Sequence, residues 1–313
     1  MGGLDDILEE ILEALGDADF QEGLRKSGIN NQKKVREILE SNPILVEKAK
    51  RVARVKRDSV RMLADLVDKA ARSLERNGAR VYYAETAEDA REIVSKIVGR
   101  GKTVVMSKSM AAEEIDLRRH LEALDNEVWE TDLGQLLVAL EGRKPMHTVA
   151  PAIHMTRERA ARIIRDKLGI ELDPRDVEGM VYAVRRFLRE KFFKADVGIS
   201  GCNSLAADTG TLVLVENEGN IRMVSSTPEK HVAIAPIDKI VPTIWDAIDV
   251  ALVQAAYAGF WPPTYISLIS GPSATGDIEQ IKVHGAHGPR ELHVVLLDNG
   301  RMSASSHPFY MSS

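Results

Sequence analysis

Apolar residues recur at three- and four-residue spacing at the start of the chain, at Leu4, Ile7, Leu8, Ile11, Leu12 and Leu15. This period predicts an amphipathic helix, which Gly16 and the aspartates beyond it end. A second helical period runs over residues 46–74 through Val52, Val55, Val60, Leu63, Leu66, Val67 and Leu74, and Asn77-Gly78 stops it. Residues 1–78 therefore read as a helical N-terminal extension. From Arg80 the period changes. Short apolar runs at 81–83, 103–106, 127–130 and 147–150 alternate with helical patterns at 87–98, 110–124 and 133–140. Thr86 is placed to cap the first of these helices, with Glu88 and Asp89 in its first turn. A helical insertion follows at about 156–193, where Thr156 opens one helix, Gly169 closes it and Asp173-Pro174 opens another through Arg189. Strand patterns resume at 197–199, 212–215, 232–235, 265–269 and 293–297, with a helix at 243–257. Such alternation predicts one α/β domain over 79–313, built on a mainly parallel sheet with helices on both faces.

Composition narrows the functional classes. With 44% hydrophobic and 28% charged residues in 313, a globular protein with a substantial core is expected. A net charge of −5 gives no bulk attraction to nucleic acid. No apolar run reaches about 18 residues, so no membrane span is predicted. The opening residues are acidic and amphipathic, unlike a signal peptide. A single cysteine, Cys202, excludes an internal disulfide, and a cytoplasmic location is expected.

The candidate chemistry concentrates at 196–231. Ser200-Gly201-Cys202-Asn203, Asp208-Thr209-Gly210-Thr211 and Glu216-Asn217-Glu218-Gly219-Asn220 interrupt strand-like runs. Polar groups so placed sit at strand ends, where α/β proteins bind ligands, or else form tight turns with satisfied caps. Asn203 offers donors and an acceptor, Asp208 is a candidate general base, and Thr209 and Gly210 allow close backbone approach. Arg222 is a candidate two-point partner for a substrate carboxylate, or a hairpin residue paired with Glu218. Ser107-Lys108-Ser109 lies between a strand and a helix and is a candidate site for a carboxylate or phosphate, without the glycines of a P-loop. His154 is a candidate for substrate contact or proton transfer. His147 and His154 straddle Pro151 at a spacing that defines no metal geometry, so no metal site is predicted. No G-x-G-x-x-G motif is present, and NAD is not implied.

Several segments, in order, resemble the LUD (lactate utilisation) domain family: Lys108-Ser109-Met110 with Glu113-Glu114-Ile115, Thr131-Asp132-Leu133-Gly134, Val149-Ala150-Pro151-Ala152-Ile153-His154, and the run from His287 to Arg301. Glu218-Gly219-Asn220 with Arg222, and Glu229 with His231, resemble further family elements, which makes Glu218, Arg222 and His231 candidate substrate-binding residues. Asp208 stands where the family commonly has Glu, and Cys202 where it often has Ala. The resemblance is greatest to the LUD portion of lactate-utilisation iron–sulfur subunits. It implies a Rossmann-like sheet similar to sugar-phosphate isomerases and coenzyme A transferases, and a part in L-lactate oxidation to pyruvate. The family's subunits carry a cysteine-rich cluster region after this portion. A Cys₄ cluster needs four thiolates and this chain has one cysteine, so no cofactor is expected on it. An iron–sulfur cluster is expected only on a separate partner protein, alongside other lactate-utilisation subunits. Two alternatives stand beside this reading. One is a self-sufficient transferase- or isomerase-type enzyme using Lys108, Asp208 and Arg222 on a phosphorylated or thioester substrate. The other is a non-catalytic binding or scaffold protein.

Overall fold

The structure, a computed structural model, describes residues 15–16, 18–142, 152 and 155–307. The strand expected at 147–150 and the candidate His154 lie outside these residues. Beyond residue 17 the described chain forms the helices α1 (Ala18–Ser41), α2 (Pro43–Arg61) and α3 (Leu63–Arg76). Then follow β1 (Arg80–Ala84), α4 (Ala87–Val98), β2 (Thr103–Met106), α5 (Met110–Glu114), α6 (Leu117–Glu122), β3 (Glu127–Glu130) and α7 (Leu133–Leu140). The middle of the chain forms α8 (Arg157–Leu168), α9 (Val177–Lys194), β4 (Val197–Ser200), β5 (Ser204–Ala206), β6 (Thr211–Glu216), α10 (Asn220–Ser226) and β7 (Lys230–Pro236). The last elements are β8 (Ile240–Val241), α11 (Ile244–Tyr257), β9 (Tyr265–Ile269), β10 (Ala274–Thr275), β11 (Val283–His284), β12 (Glu291–Leu297) and α12 (Arg301–Ser305).

Local signals explain many of these boundaries. Thr86 and Asp89 form a reciprocal capping box at the start of α4. Thr156 caps α8, and Gly169 ends it with φ 70°. The helix expected over 46–74 instead divides at Met62, and the one over 110–124 divides near Asp116, whose φ is 48°.

Six strands form a sheet in the order β1-β12-β7-β4-β2-β3, every neighbouring pair parallel. One face packs on α4, α5 and α6 through Met106, Ile115, Leu121, Ile199, Ile234 and Val295. The other face is covered in two parts. Val105 meets α7, α8 and α9 through Leu136, Ile164, Leu188 and Phe192. Ala233 and Leu296 meet α3 and a second sheet through Leu74, Leu205 and Leu212. The second sheet is mixed, in the order β8-β5-β6-β9, and α11 and α2 close its outer side. The strands expected at 212–215 and 265–269 therefore belong to this layer, not to the parallel sheet. Its partner strands β5 and β8 are three and two residues long, too short for a period to reveal.

Helices α2 and α3 are integral to the core. Leu63, Leu66, Ala70 and Leu74 of α3 are buried. Arg51 and Lys48 of α2 form ion pairs with Asp246 and Asp249 of α11. Among the described residues no helix is long and apolar enough to cross a membrane.

The chain leaves β2 toward the face that carries α5 and α6. From β3 and β4, which flank β2 in the sheet, it leaves toward the opposite face. Where neighbouring strands diverge in this way, a crevice opens at their carboxyl ends.

Candidate functional site

Ser107 extends β2 by one residue, and its N–H donates to the Ile199 carbonyl of β4 at 2.9 Å. Its side chain is 2% exposed, and the Oγ is buried without a hydrogen-bond partner. Ser109 begins α5, with its Oγ accepting from the Ala112 N–H at 3.3 Å. Gly201, just past β4, faces it so closely that a Cβ there would lie 2.6 Å from the Ser109 Oγ. Lys108 stands between the two serines. Burial holds its ammonium below the usual lysine range, against the pull of Asp132 and Glu218.

Those two carboxylates arrive from different elements. Thr131 continues β3, with both its N–H and its hydroxyl donating to the Met106 carbonyl at 2.9 Å. Asp132 caps α7 by accepting from the Gln135 N–H at 2.9 Å. Glu218 comes from the loop between β6 and α10 and lies close enough to the Leu133 N–H at the same helix start to feel its dipole. Asn220 ties this loop to the β3 corner through the Thr131 hydroxyl at 3.4 Å. The loop is fixed from beneath by buried Glu216, which accepts from the Ile221 and Arg222 N–H groups at 2.6 and 3.0 Å. Burial raises the Glu216 carboxyl, and those two N–H groups oppose the rise. Partial burial and then Asp132 push Glu218 up to about 7, opposed by the Leu133 N–H and Lys108. Ser107, Lys108, Ser109, Asp132 and Glu218 thus form one constellation at the carboxyl ends of β2, β3 and β4.

The remaining candidates lie elsewhere. Asp208, Thr209 and Gly210 make the β5–β6 turn, which packs on α3. Ser73 donates to the carbonyls of Ala207 and Asp208, and Asn77 donates to that of Thr209 at 2.7 Å. Gly210 has φ 61°, and a Cβ there would lie 2.5 Å from the backbone N of Leu74. At about 3.4 Å per residue, β6 separates this turn from Glu218 by roughly 20 Å. Asn203 uses its amide inside the second layer, accepting from the Val215 N–H at 2.8 Å and donating to Gln254 at 3.0 Å. His231 is buried within the sheet, its Nε2 2.8 Å from the Ser200 Oγ. Burial, then His293, lowers its pKa to about 4, so it is neutral at ordinary pH. Arg222 belongs to a helix rather than a hairpin turn. Its guanidinium lies 4.6 Å above the Tyr265 ring instead of pairing with Glu218.

Other buried or charged groups have no motif to mark them in the sequence. Glu130, the last residue of β3, is 3% exposed, and one of its oxygens is unpartnered. Burial, then Glu113, pushes it up to about 8, so it carries a proton at neutral pH. Its only sequence signal is its position at the end of an apolar strand. Lys56 of α2 donates to the Asp238 carbonyl, and burial lowers its pKa. Arg301 clamps α5 to the end of β7, pairing with Glu114 at 2.6 Å and Asp238 at 2.7 Å. Cys202 is pushed up to about 12 by burial, so its thiol stays protonated. One protonated, buried thiol does not fit an iron–sulfur cluster.

The layers and the six-stranded parallel sheet define a Rossmann-like α/β domain. The chain belongs to the LUD domain family, whose model matches residues 67–297. It is similar to lactate utilization protein B of Bacillus pumilus (strain SAFR-032), at 35% identity over 79% of this chain and 51% of that protein. The Bacillus subtilis (strain 168) protein of the same name is 36% identical over 74% of this chain and 47% of its own length. An uncharacterized electron transport protein, YkgF, of Escherichia coli (strain K12) is 37% identical over 74% of this chain and 48% of its own. The chain thus spans about half the length of the curated relatives it matches. A solved DUF162 family protein from Deinococcus radiodurans aligns with TM-score 0.42 and 16% identity, over 75% of this chain and 98% of that one.

Proposed function

We propose that this LUD domain serves lactate utilisation by binding a small carboxylate or phosphate in the crevice around Lys108. The relatives named lactate utilization protein B supply the context. The observation that carries the site is the buried, unpartnered Ser107 Oγ beside Lys108 at the end of β2. A buried hydroxyl without a partner is costly unless something completes it, and a ligand oxygen would do so. Lys108 brings three N–H donors to the same place.

The net reaction served is L-lactate to pyruvate, with release of two electrons and two protons. This chain has a single, protonated thiol, so the electron acceptor in this reading is an iron–sulfur protein acting with it. The residues here bind and orient the carboxylate. Titrating L-lactate, pyruvate and inorganic phosphate into wild type and Lys108→Met tests the reading. A charge-assisted contact is worth roughly 1.5–3 kcal/mol, so Lys108→Met should weaken binding about ten- to a hundredfold with little change in melting temperature. Equal affinity in both proteins would remove Lys108 from the site. Co-purification from the native cell, with iron analysis, tests the partner.

A further inference from the structure

We propose that the outer face of α9 is a docking surface for a second protein, one that presents carboxylates with apolar residues on either side of them. This surface is separate from the crevice around Lys108, and neither depends on the other.

Helix α9 is seated in the fold without its outer face. Met180, Val184, Leu188 and Phe192 recur every four residues and are buried. Lys191 fastens the helix to β3, its ammonium 2.6 Å from Glu127 and 4.7 Å from the centre of the Trp129 ring. The outer face carries Tyr182, Arg185, Arg186, Arg189 and Phe193, all exposed. At about 100° and 1.5 Å per residue, the five fall within an arc of about 100° and span about 16 Å. Tyr182 is 61% exposed and Phe193 71%, so neither ring takes part in this chain's core.

The charge on this face says what fits it. Residues 185–194 hold five cations and one acid, a local net of +4 in a chain whose net charge is −5. Among the described residues nothing neutralises the central arginines. Arg185 and Arg186 form no ion pair or hydrogen bond, and Arg189 reaches the uncharged Met223 Sδ at 3.4 Å. Arg185 and Arg189 stand one turn apart, where like charges oppose each other on a helix. A partner that supplies carboxylates removes this repulsion, and planar guanidinium forks pair with carboxylates at two points.

The order of residues along the stripe favours a protein over other polyanions. A helix lying on a lipid surface gathers its apolar side chains on one face and its cations on the other. Here rings and cations share one face, with the cations central and the rings at the two ends. Single-stranded nucleic acid stacks successive bases on aromatic rings. These two rings are separated by about 16 Å of helix. Rings that flank arginines match the hot spots of protein–protein interfaces, which are enriched in Tyr and Arg.

The test places a photo-crosslinking benzoylphenylalanine at Val181, beside the stripe, in the full chain expressed in its native cell. The same replacement at Trp245, exposed on α11, is the control. Irradiation should give one discrete protein adduct at position 181 and none of that mass at 245. Mass spectrometry should place the cross-link in a segment where Asp and Glu outnumber Lys and Arg. Combining the probe with Arg185→Glu, Arg186→Glu and Arg189→Glu should lower the adduct yield at least about tenfold, with the purified protein's melting temperature unchanged. If the triple variant folds poorly, Arg186→Glu alone should lower the yield in the same direction. Support requires both the acidic segment and the loss on charge reversal. An adduct to lipid, nucleic acid, a second copy or a non-acidic protein would overturn the inference. So would the absence of any adduct, or one that survives charge reversal.

Discussion

The two ends of strand β6 are chemically alike and physically opposite. One end carries Asp208, Thr209 and Gly210, the other Glu216, Glu218 and Asn220. Each combines acids, a glycine and small polar residues, and each interrupts an apolar strand. At the first end, α3 takes up the turn's backbone, while one buried oxygen of the Asp208 carboxylate stays without a partner. Ser73 and Asn77 take the turn's carbonyls, and Gly210 lets two backbones touch. At the second end the backbone is held from below by Glu216, and Glu218 lies within electrostatic reach of Lys108. Polar density alone therefore does not mark a site. What differs is how far neighbouring secondary structure has taken up the backbone groups of each turn.

The largest effect should come from the closed end. Gly210→Ala forces a side chain into a left-handed backbone against Leu74 and should cost about 2–4 kcal/mol of stability. Chemical denaturation would measure the loss, while ligand affinity of the folded fraction should stay unchanged. An affinity loss at intact stability would place this turn in the site after all.

A second effect concerns the strand that delivers Asp132. Glu130 has a folded-state pKa of about 8, against an ordinary 4.5. The native state thus keeps a proton that the unfolded chain has released, and stability falls as pH rises from about 4.5 to 8. His231 works in the other direction, with stability lost as pH falls from 6.5 to about 4. Between pH 6.5 and 8 only the Glu130 member of this pair acts, and its share is about 2 kcal/mol. Unfolding free energies of Glu130→Gln across that window should show a flatter profile than wild type. Identical slopes would mean that Glu130 is ionised in the fold.

The smallest effect should be at Arg222. Its stacking on Tyr265 is exposed, so Arg222→Ala should cost about 0.5–1 kcal/mol and leave lactate affinity intact. A tenfold affinity loss would return Arg222 to the substrate.

Much of the local structure was legible in residue order. Thr103–Met106 and Glu127–Glu130 form strands where an apolar run is bounded by polar residues. Thr86, Asp132 and Thr156 cap helices because a short side-chain oxygen reaches the N–H three residues ahead. The alternation of strand and helix from Arg80 onward carried the parallel sheet. Ser107-Lys108-Ser109 at a strand-to-helix junction was likewise readable, because that junction is local. The same information was insufficient to separate two sheets, since a short apolar strand looks alike in either. Nor did it distinguish Asp208 from Glu218. The carbonyl of Asp208 is taken by Ser73, 135 residues away in sequence, and Glu218 comes within electrostatic reach of Lys108 and Asp132 only when three strand ends converge. The proton on Glu130 has the same origin, because α6, α7 and the sheet must assemble around a carboxyl before water is excluded from it. Periods and caps are properties of neighbours in the chain. Burial, charge partnership and the crevice itself arise from contacts between distant segments, and these exist only once the layers have packed.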